Sequence, residues 1–497
     1  MHYTNIKFHF FLLFFTLNKF TNAALAPVYY INEPSPLNIT RRSYLDELGL
    51  KEFIVVVNVD VQSYGADNNL VKRGEELTPK NRKWNKVATA ALGDKIKFIK
   101  SKMSRRKAKS ASIDPFGTSE SAIVGNFFCF SGVFDQNTLD VVRGIEDVKY
   151  IEEMIYITIE KDEPSDTSKD LLQKRSNNLP KNDNLNASQN DLGYEKRADS
   201  SVYYQRYAPW ALSRISSRSR QQPSYPYGNG YTFKNGGEGV VVYVVDSGIN
   251  INHADFGGRA SFGPNVAYNA DGVVTEDGYD YGGHGTAVAS MAIGTAFGAA
   301  KKAKAISYKI SAIGIGFPVI RVAQVIQDIA DLIKNADDGR VASVLVFSFV
   351  AGSVSQSWDD AAKEFKAMGH IYVVSAGNNR ADACKKSPMS SMATLSIGST
   401  DSSDSLQPTS NFGKCVDIYA PGVNVQFASH LNNFGSRTST GTSYSAPLVA
   451  GICANILSDY PNLNLDQLKE KLLSISVNDA INTLPADSVN ILAQAYM

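Results

Sequence analysis

The chain has 497 residues, 43% of them hydrophobic and 20% charged, with 50 basic side chains against 49 acidic ones. A balance this even speaks against a basic nucleic-acid-binding surface and against a solvating charged tail. The length exceeds one compact domain, so two or three are expected, with apolar material enough for a full α/β core.

The first segment reads MHYTNIKFHFFLLFFTLNKFTNAALAP. Lys7 precedes an apolar run from Phe8 to Leu17, and the small residues Ala23, Ala24 and Ala26 follow. That run is too short to span a bilayer and has the layout of an export signal cut near Ala24 or Ala26. Residues 1–26 are therefore expected to be a signal peptide. No later stretch is long and apolar enough to span a membrane, which points to a product of the secretory pathway: secreted, on the cell surface or vacuolar. The four cysteines, Cys129, Cys384, Cys415 and Cys453, would then meet an oxidising compartment, and spacing alone leaves their pairing open. Sequons stand at Asn38 and Asn186.

Residues 53–61, FIVVVNVDV, read as a strand, and WNKVATAALGDKIKFIKSKM has helical spacing. AIVGNFFCFSGVF suggests one or two strands, DQNTLDVVRGIEDV a short helix and KYIEEMIYITIE a further strand. That order predicts a small α+β sandwich of the split β-α-β, ferredoxin-like kind over about 52–160. The basic stretch KSKMSRRKAK reads as a solvated loop.

From 161 to 206 the chain turns polar, with few apolar anchors, and reads as an exposed linker. It carries two dibasic pairs, Lys174-Arg175 and Lys196-Arg197, which are candidate processing sites. Beyond 207, the apolar runs GVVVYVVD, ISYKI, VLVFSFV, HIYVVSAGN and MATLSIGS alternate with the helical patterns RVAQVIQDIADLIKNA and SWDDAAKEFKAMG. Such alternation predicts an α/β fold whose mostly parallel sheet is covered on both faces, with chemistry at the carboxyl ends of its strands.

Four short stretches then carry the chemistry. VVYVVDSGIN places Asp246 directly after a buried strand, although an Asp before Ser-Gly is by itself a turn former. GGHGTAVAS places His284 at the head of a helix. Of the six histidines, His2 and His9 leave with the signal, His370 enters a strand from its far end, His430 sits in a polar loop and His253 in a tight one. VVSAGNNR puts Asn378 just past a strand, where its amide can donate to a developing oxyanion. STGTSYSAPLVAG opens a helix at Ser443, whose own N–H is free of intrahelical bonding, and Pro447 falls near the first turn. Each stretch alone has an ordinary structural reading as a cap or turn. Together they supply a nucleophile, a base, an orienting acid and an oxyanion site.

The four blocks VVDSGIN, GHGTAVAS, SAGNN and GTSYSAPLVAG, in that order, resemble subtilisin-type serine peptidases of the proteinase K and yeast vacuolar protease B branch. The order Asp, His, Ser is the subtilisin order, and the Gly-x-Ser-x-Gly of α/β-hydrolases is missing, since GTSYS ends in Ser445. APWALSRIS is similar to the start of mature enzymes of that branch, and residues 53–160 to their inhibitory propeptide. The resemblance implies a propeptide over 27–160, a linker to 206 and a subtilisin-like domain over 207–497.

It further implies Asp246, His284 and Ser443 as triad and Asn378 as oxyanion donor, acting on protein or peptide substrates as a serine endopeptidase made as an inhibited zymogen. The chain's own propeptide would be the inhibitor, and the chemistry would need no cofactor. By the same resemblance Ser348, Phe349, Val350, Ala351 and Gly352, with Ser375, Ala376 and Gly377, would line the substrate. Cys384 and Cys415 would form a disulfide, Cys453 stay a buried thiol, and Asp417 mark a structural calcium site. The sequence departs from the family in SFVAG, where Val350 and Ala351 replace glycines, and at Ala287 and Tyr444. Those departures set out the alternative: a degenerate subtilase serving as a structural or binding component of an extracellular coat.

Overall fold

The computed structural model describes residues 28–29, 50–68, 70–71, 77–79, 82–104, 120–159, 194–196, 202–220, 230–267, 277–312 and 315–496. The expected signal peptide, both sequons, Lys174, Arg175 and Arg197 lie outside the described residues. The chain divides into two units. One comprises 1–156, 318–330 and 355–364; the other holds the rest.

The first unit contains strands β1 (Val28–Tyr29), β2 (Lys51–Val57), β3 (Ser121–Val124), β4 (Phe127–Phe134) and β5 (Val148–Glu153), with helices α1 (Val61–Asp67), α2 (Arg82–Ser104) and α3 (Gln136–Arg143). The sheet order β1-β5-β2-β4-β3, antiparallel among β2 to β5, is the split β-α-β arrangement that the sequence predicts. Phe53, Val55, Val57, Phe128, Phe130 and Ile151 pack with Trp84, Val87, Leu92 and Ile99 of α2.

Two local readings are corrected. The run 53–61 ends as a strand at Val57, because Asp60 caps a helix through Ser63 N at 2.9 Å and Ser63 Oγ at 2.8 Å. The basic stretch is no loop at its start, since Lys100–Ser104 complete α2.

Within the same unit, Glu152 is buried and accepts the N–H groups of Gln356 (3.0 Å) and Ser357 (2.8 Å) at the start of a helix. Tyr150 Oη donates to Asp360, and the Asn126 N–H to Glu364.

The second unit holds β6 (Tyr156–Ile157), whose Ile157 belongs to it, β7 (Glu195–Lys196), β8 (Tyr203–Gln205), α4 (Trp210–Ile215), β9 (Tyr231–Phe233), β10 (Val240–Asp246) and β11 (Ala260–Asn265). Next along the chain come α5 (His284–Ile293), β12 (Lys304–Lys309), β13 (Phe317–Pro318), α6 (Ile320–Lys334), β14 (Ala342–Phe347), α7 (Gln356–Ala367) and β15 (Ile371–Ser375), of which Pro318, residues 320–330 of α6 and residues 356–364 of α7 belong to the first unit. The chain finishes with β16 (Leu395–Thr400), β17 (Ile418–Pro421), the hairpin β18 (Val425–Ala428) and β19 (Ser436–Ser439), α8 (Thr442–Asp459), α9 (Leu465–Ile475), β20 (Val477–Asn478) and β21 (Ile491–Leu492).

Nine strands form the central sheet in the order β11-β12-β10-β14-β15-β16-β17-β21-β20, parallel except for the β20–β21 edge. The chain runs from β10 to β12 on one side and then to β14 on the other. The strand order therefore reverses beside β10, the kind of switch point at which open parallel sheets bind ligands. The runs VVVYVVD, VLVF and IYVVS are continuous apolar because both faces are covered, and every residue of β10 and β15 is buried. Gly369 ends α7 at φ 92°, as the helix C-terminus requires. Within the expected linker 161–206, β7 pairs with β8, and β8 with β9, in a three-stranded sheet.

Candidate active site

Asp246 ends β10, fully buried. A buried carboxylate needs donors. The Ser247 N–H gives 2.7 Å to Oδ1, and the His284 Nδ1–H lies 2.8 Å from Oδ1 and 2.9 Å from Oδ2. Since an ionised carboxylate only accepts, the ring proton sits on Nδ1 and leaves the Nε2 lone pair to act as a base. His284 is the first residue of α5 and is itself buried.

Two close backbone approaches at the β10 loop need glycine, one by the 278–279 segment and one by α5. A Cβ on Gly248, at φ 114°, would stand 2.6 Å from Gly278 O, and one on Gly285 would run into Gly248 O and stand 3.0 Å from Asp246 Cβ.

Ser443 is the second residue of α8, and Tyr444 after it lies fully buried between Phe427, stacked at 4.8 Å, and the His284 ring at 6.2 Å. Pro447 lies inside the helix rather than in its first turn, and it removes the N–H that the Ser443 carbonyl would accept four residues on. Ser348 Oγ takes that place, donating to Ser443 O at 2.9 Å. Ser443 Oγ donates in return to Ser348 O at 3.0 Å. The end of β14 and the start of α8 are thereby bonded to each other.

Asn378 follows β15 through Ser375, Ala376 and Gly377, all three of them buried. Its Oδ1 accepts Thr442 N at 3.0 Å and Thr442 Oγ1 at 3.1 Å, which turns Nδ2 the other way. A Cβ on Gly441 would stand 3.4 Å from Asn378 Nδ2, 3.7 Å from Ser443 N and 3.8 Å from Asn378 Oδ1, so the Asn378 amide and the Ser443 peptide nitrogen lie beside the same glycine. Asn411, fully buried, fixes the turn beneath: it donates to Ala376 O at 2.7 Å and accepts Asn379 N at 3.1 Å and Ala381 N at 2.9 Å. The sequence reading missed Asn411, which stands in TSNFG with no local sign of its role.

On the substrate side, Phe349 packs on Phe347 at 5.0 Å and on Phe317 at 5.6 Å. Ala351 is fully buried, its N–H donating to Ser387 O at 3.0 Å, and Gly352 O accepts Lys386 Nζ. Val350 leans toward Gly377: its Cγ2 lies 3.0 Å from where a Gly377 Cβ would be.

The other predicted positions fall elsewhere. Cys384 and Cys415 form a disulfide, with Cα atoms 5.1 Å apart. Cys453 is a buried thiol whose burial pushes it up to about 12, and Cys129 is buried as well. Asp417 Oδ1 accepts Lys469 Nζ at 2.8 Å and Oδ2 the Ser396 N–H at 2.8 Å. A carboxylate already matched by an ammonium and a peptide donor does not fit calcium, and no cluster of three or more His, Cys, Asp or Glu suited to a metal occurs among the described residues. Lys196 is exposed at the end of β7. No described helix is long and apolar enough to cross a membrane.

His253 and His430 are structural neighbours. His253 Nε2 lies 2.8 Å from Gly435 O, and its Nδ1 accepts Asp255 N at 3.1 Å. His430, in the β18–β19 loop, lies against Gly283.

Residues 237–487 match the family model described as the subtilase family. Over 389 residues the chain is 32% identical to Subtilisin-like protease 8 of Arthroderma otae, covering 75% of this chain and 69% of that protein. It is 30% identical to Alkaline protease 2 of Aspergillus fumigatus over 389 residues, with the same coverages of 75% and 69%. A crystal structure of a cold adapted subtilisin-like serine proteinase superposes with a TM-score of 0.51 at 32% identity, covering 59% of this chain and 99% of that one.

Proposed function

Since the chain belongs to the subtilase family and is a serine peptidase, we propose that it cuts peptide bonds through Asp246, His284 and Ser443. The observation that carries this is the buried Asp246–His284 pair at 2.8 Å, set against the first turn of the helix that bears Ser443. In this reading Ser443 Oγ leaves its bond to Ser348 O and attacks the scissile carbonyl while His284 Nε2 takes its proton. Asp246 keeps the proton on Nδ1 and stabilises the imidazolium. The oxyanion is held by Asn378 Nδ2 and the Ser443 N–H beside Gly441. His284 then protonates the leaving amine, and water repeats the sequence on the acyl-enzyme. No step calls on a cofactor.

Residues 27–160 act as propeptide and inhibitor. Support comes from the split β-α-β fold and from Glu152, which accepts the N–H groups of Gln356 and Ser357 within the first unit. It comes also from Ile157 and Ile159, both buried in the second unit, whose Phe317 lies in the strand paired with that of Ile157. Export follows from the N-terminal signal pattern, and the polar segment with Lys174-Arg175 and Lys196-Arg197 is where the chain is cut. Ser348–Gly352 and Ser375–Gly377 receive the acyl side of the substrate, with Val350 restricting the residue before the cut to small side chains. The inert coat-component alternative has nothing in its favour, as every part of the triad is present.

Secreted wild type and Ser443→Ala are compared for intact mass and for hydrolysis of denatured casein. The expected result is a shortened, active wild type and an inactive variant. Casein hydrolysis retained by Ser443→Ala would overturn the assignment. A variant that is shortened but inactive would keep the triad and assign the cut to another protease.

A further inference from the structure

The mechanism gives no role to Asp280, a carboxylate with no exposed surface four residues before His284. Its Oδ1 accepts Ser247 Oγ at 2.8 Å, Gly283 N at 2.7 Å and Gly282 N at 3.1 Å, and its Oδ2 accepts Thr286 N at 2.7 Å. Ser247 extends the connection, with Oγ accepting Gly285 N at 3.0 Å and its own N–H held by Asp246 Oδ1. One carboxylate thus ties the loop after β10, which carries Asp246, to the first turn of α5, which carries His284.

We propose that Asp280 is a positioning residue of the triad, which sets the Asp246–His284 geometry through Ser247 and the first turn of α5 and adds a second buried negative charge at the N-terminus of the helix that carries His284. The inference rests on the triad reading above. Two features separate this from a routine helix cap. The acceptor set reaches beyond the helix to Ser247, so it joins both catalytic segments. The charge is also buried, where a nearby ion acts on the His284 imidazolium with little solvent screening.

Other charged and titratable groups lie around these segments. Asp246 holds it directly, His430 of the β18–β19 loop lies against Gly283, and Tyr444 of α8 approaches to 6.2 Å. Lys309 at the end of β12 donates to Tyr279 O at 2.7 Å and to Asp277 O at 3.3 Å, lies 3.7 Å from Asp277 Oδ1 and sits over the Tyr281 ring. Burial weakens its hold on a proton, while the charges of Asp277 and Asp280 strengthen it.

The test compares the pH profiles of kcat/KM for wild type, Asp280→Asn and Ser247→Ala, with folding checked by circular dichroism. For Asp280→Asn, kcat is expected to fall by about tenfold to a hundredfold with KM nearly unchanged, since small misplacements at a reacting centre have effects of that size. Its acid limb should move to lower pH by about half a unit or more, because the imidazolium loses a neighbouring anion. Ser247→Ala should lower kcat while leaving the limb in place, because the Asp280 charge remains.

A folded Asp280→Asn with wild-type kcat and an unmoved limb would overturn the proposal. If that variant does not fold, Ser247→Ala decides, and an unchanged kcat there refutes it. A limb that moves equally in Ser247→Ala would refute the charge effect. Labelling of wild type by a fluorophosphonate is the control for the underlying reading: unlabelled wild type sinks the triad itself, whereas labelled wild type with unaffected variants sinks only the role of Asp280.

Discussion

Val350→Gly should convert a restrictive peptidase into a broader one. Val350 Cγ2 stands 3.0 Å from the position a Gly377 Cβ would take, so the isopropyl group fills space between the segment after β14 and the turn before Asn378. Truncation to glycine removes three carbons from that space. At about 0.8 kcal/mol per methylene-sized group brought into apolar contact, a large side chain entering the cleared volume gains about 2 kcal/mol. That is about thirtyfold in kcat/KM for phenylalanine over alanine, relative to the wild-type ratio. The assay is a peptide series Ala-Ala-Pro-X-p-nitroanilide with X as Ala, Leu or Phe, read as kcat/KM for both proteins. Thermal unfolding checks that the variant is folded, since a new glycine is expected to lower stability by about 1 kcal/mol. An unchanged Phe-to-Ala ratio in a folded, active variant would refute the claim that Val350 sets the pocket.

Asn378→Ala should lower kcat a hundredfold to a thousandfold and leave KM nearly unchanged, by steady-state kinetics; about 2.7–4 kcal/mol is the value known for this donor in subtilisin itself, not one worked from this structure. Arg214→Ala should destabilise the second unit by about 3–5 kcal/mol in denaturant melts, because it strands Asp404, which Arg214 holds at 2.7 and 3.1 Å with both side chains buried. Burial lowers Lys301 from 10.5 to about 7, so below pH 7 the folded state carries the full penalty of a buried ammonium, and the penalty fades as pH rises toward 10.5. Wild-type stability should therefore climb over that window, and Lys301→Met should flatten the climb in melts taken from pH 7 to 10. The residue after Ser443 is Tyr444, with no thioether to oxidise, so peroxide should inactivate wild type slowly and Tyr444→Met quickly, followed as residual activity.

The central sheet was legible because parallel strands covered on both faces are written as unbroken apolar runs, and β10, β14 and β15 lie within a few residues of where VVVYVVD, VLVF and IYVVS place them. The candidate residues were legible because each sits where a strand or helix changes to loop, in a short stretch of fixed chemistry. What stayed hidden depends on partners far along the chain. Asn411 bonds to Ala376, and Ser348 bonds to a carbonyl that Pro447 leaves without an N–H. Asp280 in YDYGG reads locally as a turn former, and nothing nearby shows that Ser247 will meet it. The partner of Asp417 is distant in the same way, since the ammonium it accepts comes from Lys469. The short helix α1 was missed because VQSYGAD carries a glycine mid-helix and no sustained apolar period, and only the Asp60 cap marks its start.

The most direct measurement is the site of covalent labelling. Mature wild type is treated with a fluorophosphonate, digested and mapped by mass spectrometry, beside His284→Ala. The account expects a single adduct on Ser443 in wild type and none, or a greatly slowed one, in His284→Ala. A folded wild type that takes no label, or an adduct on another serine, would contradict it.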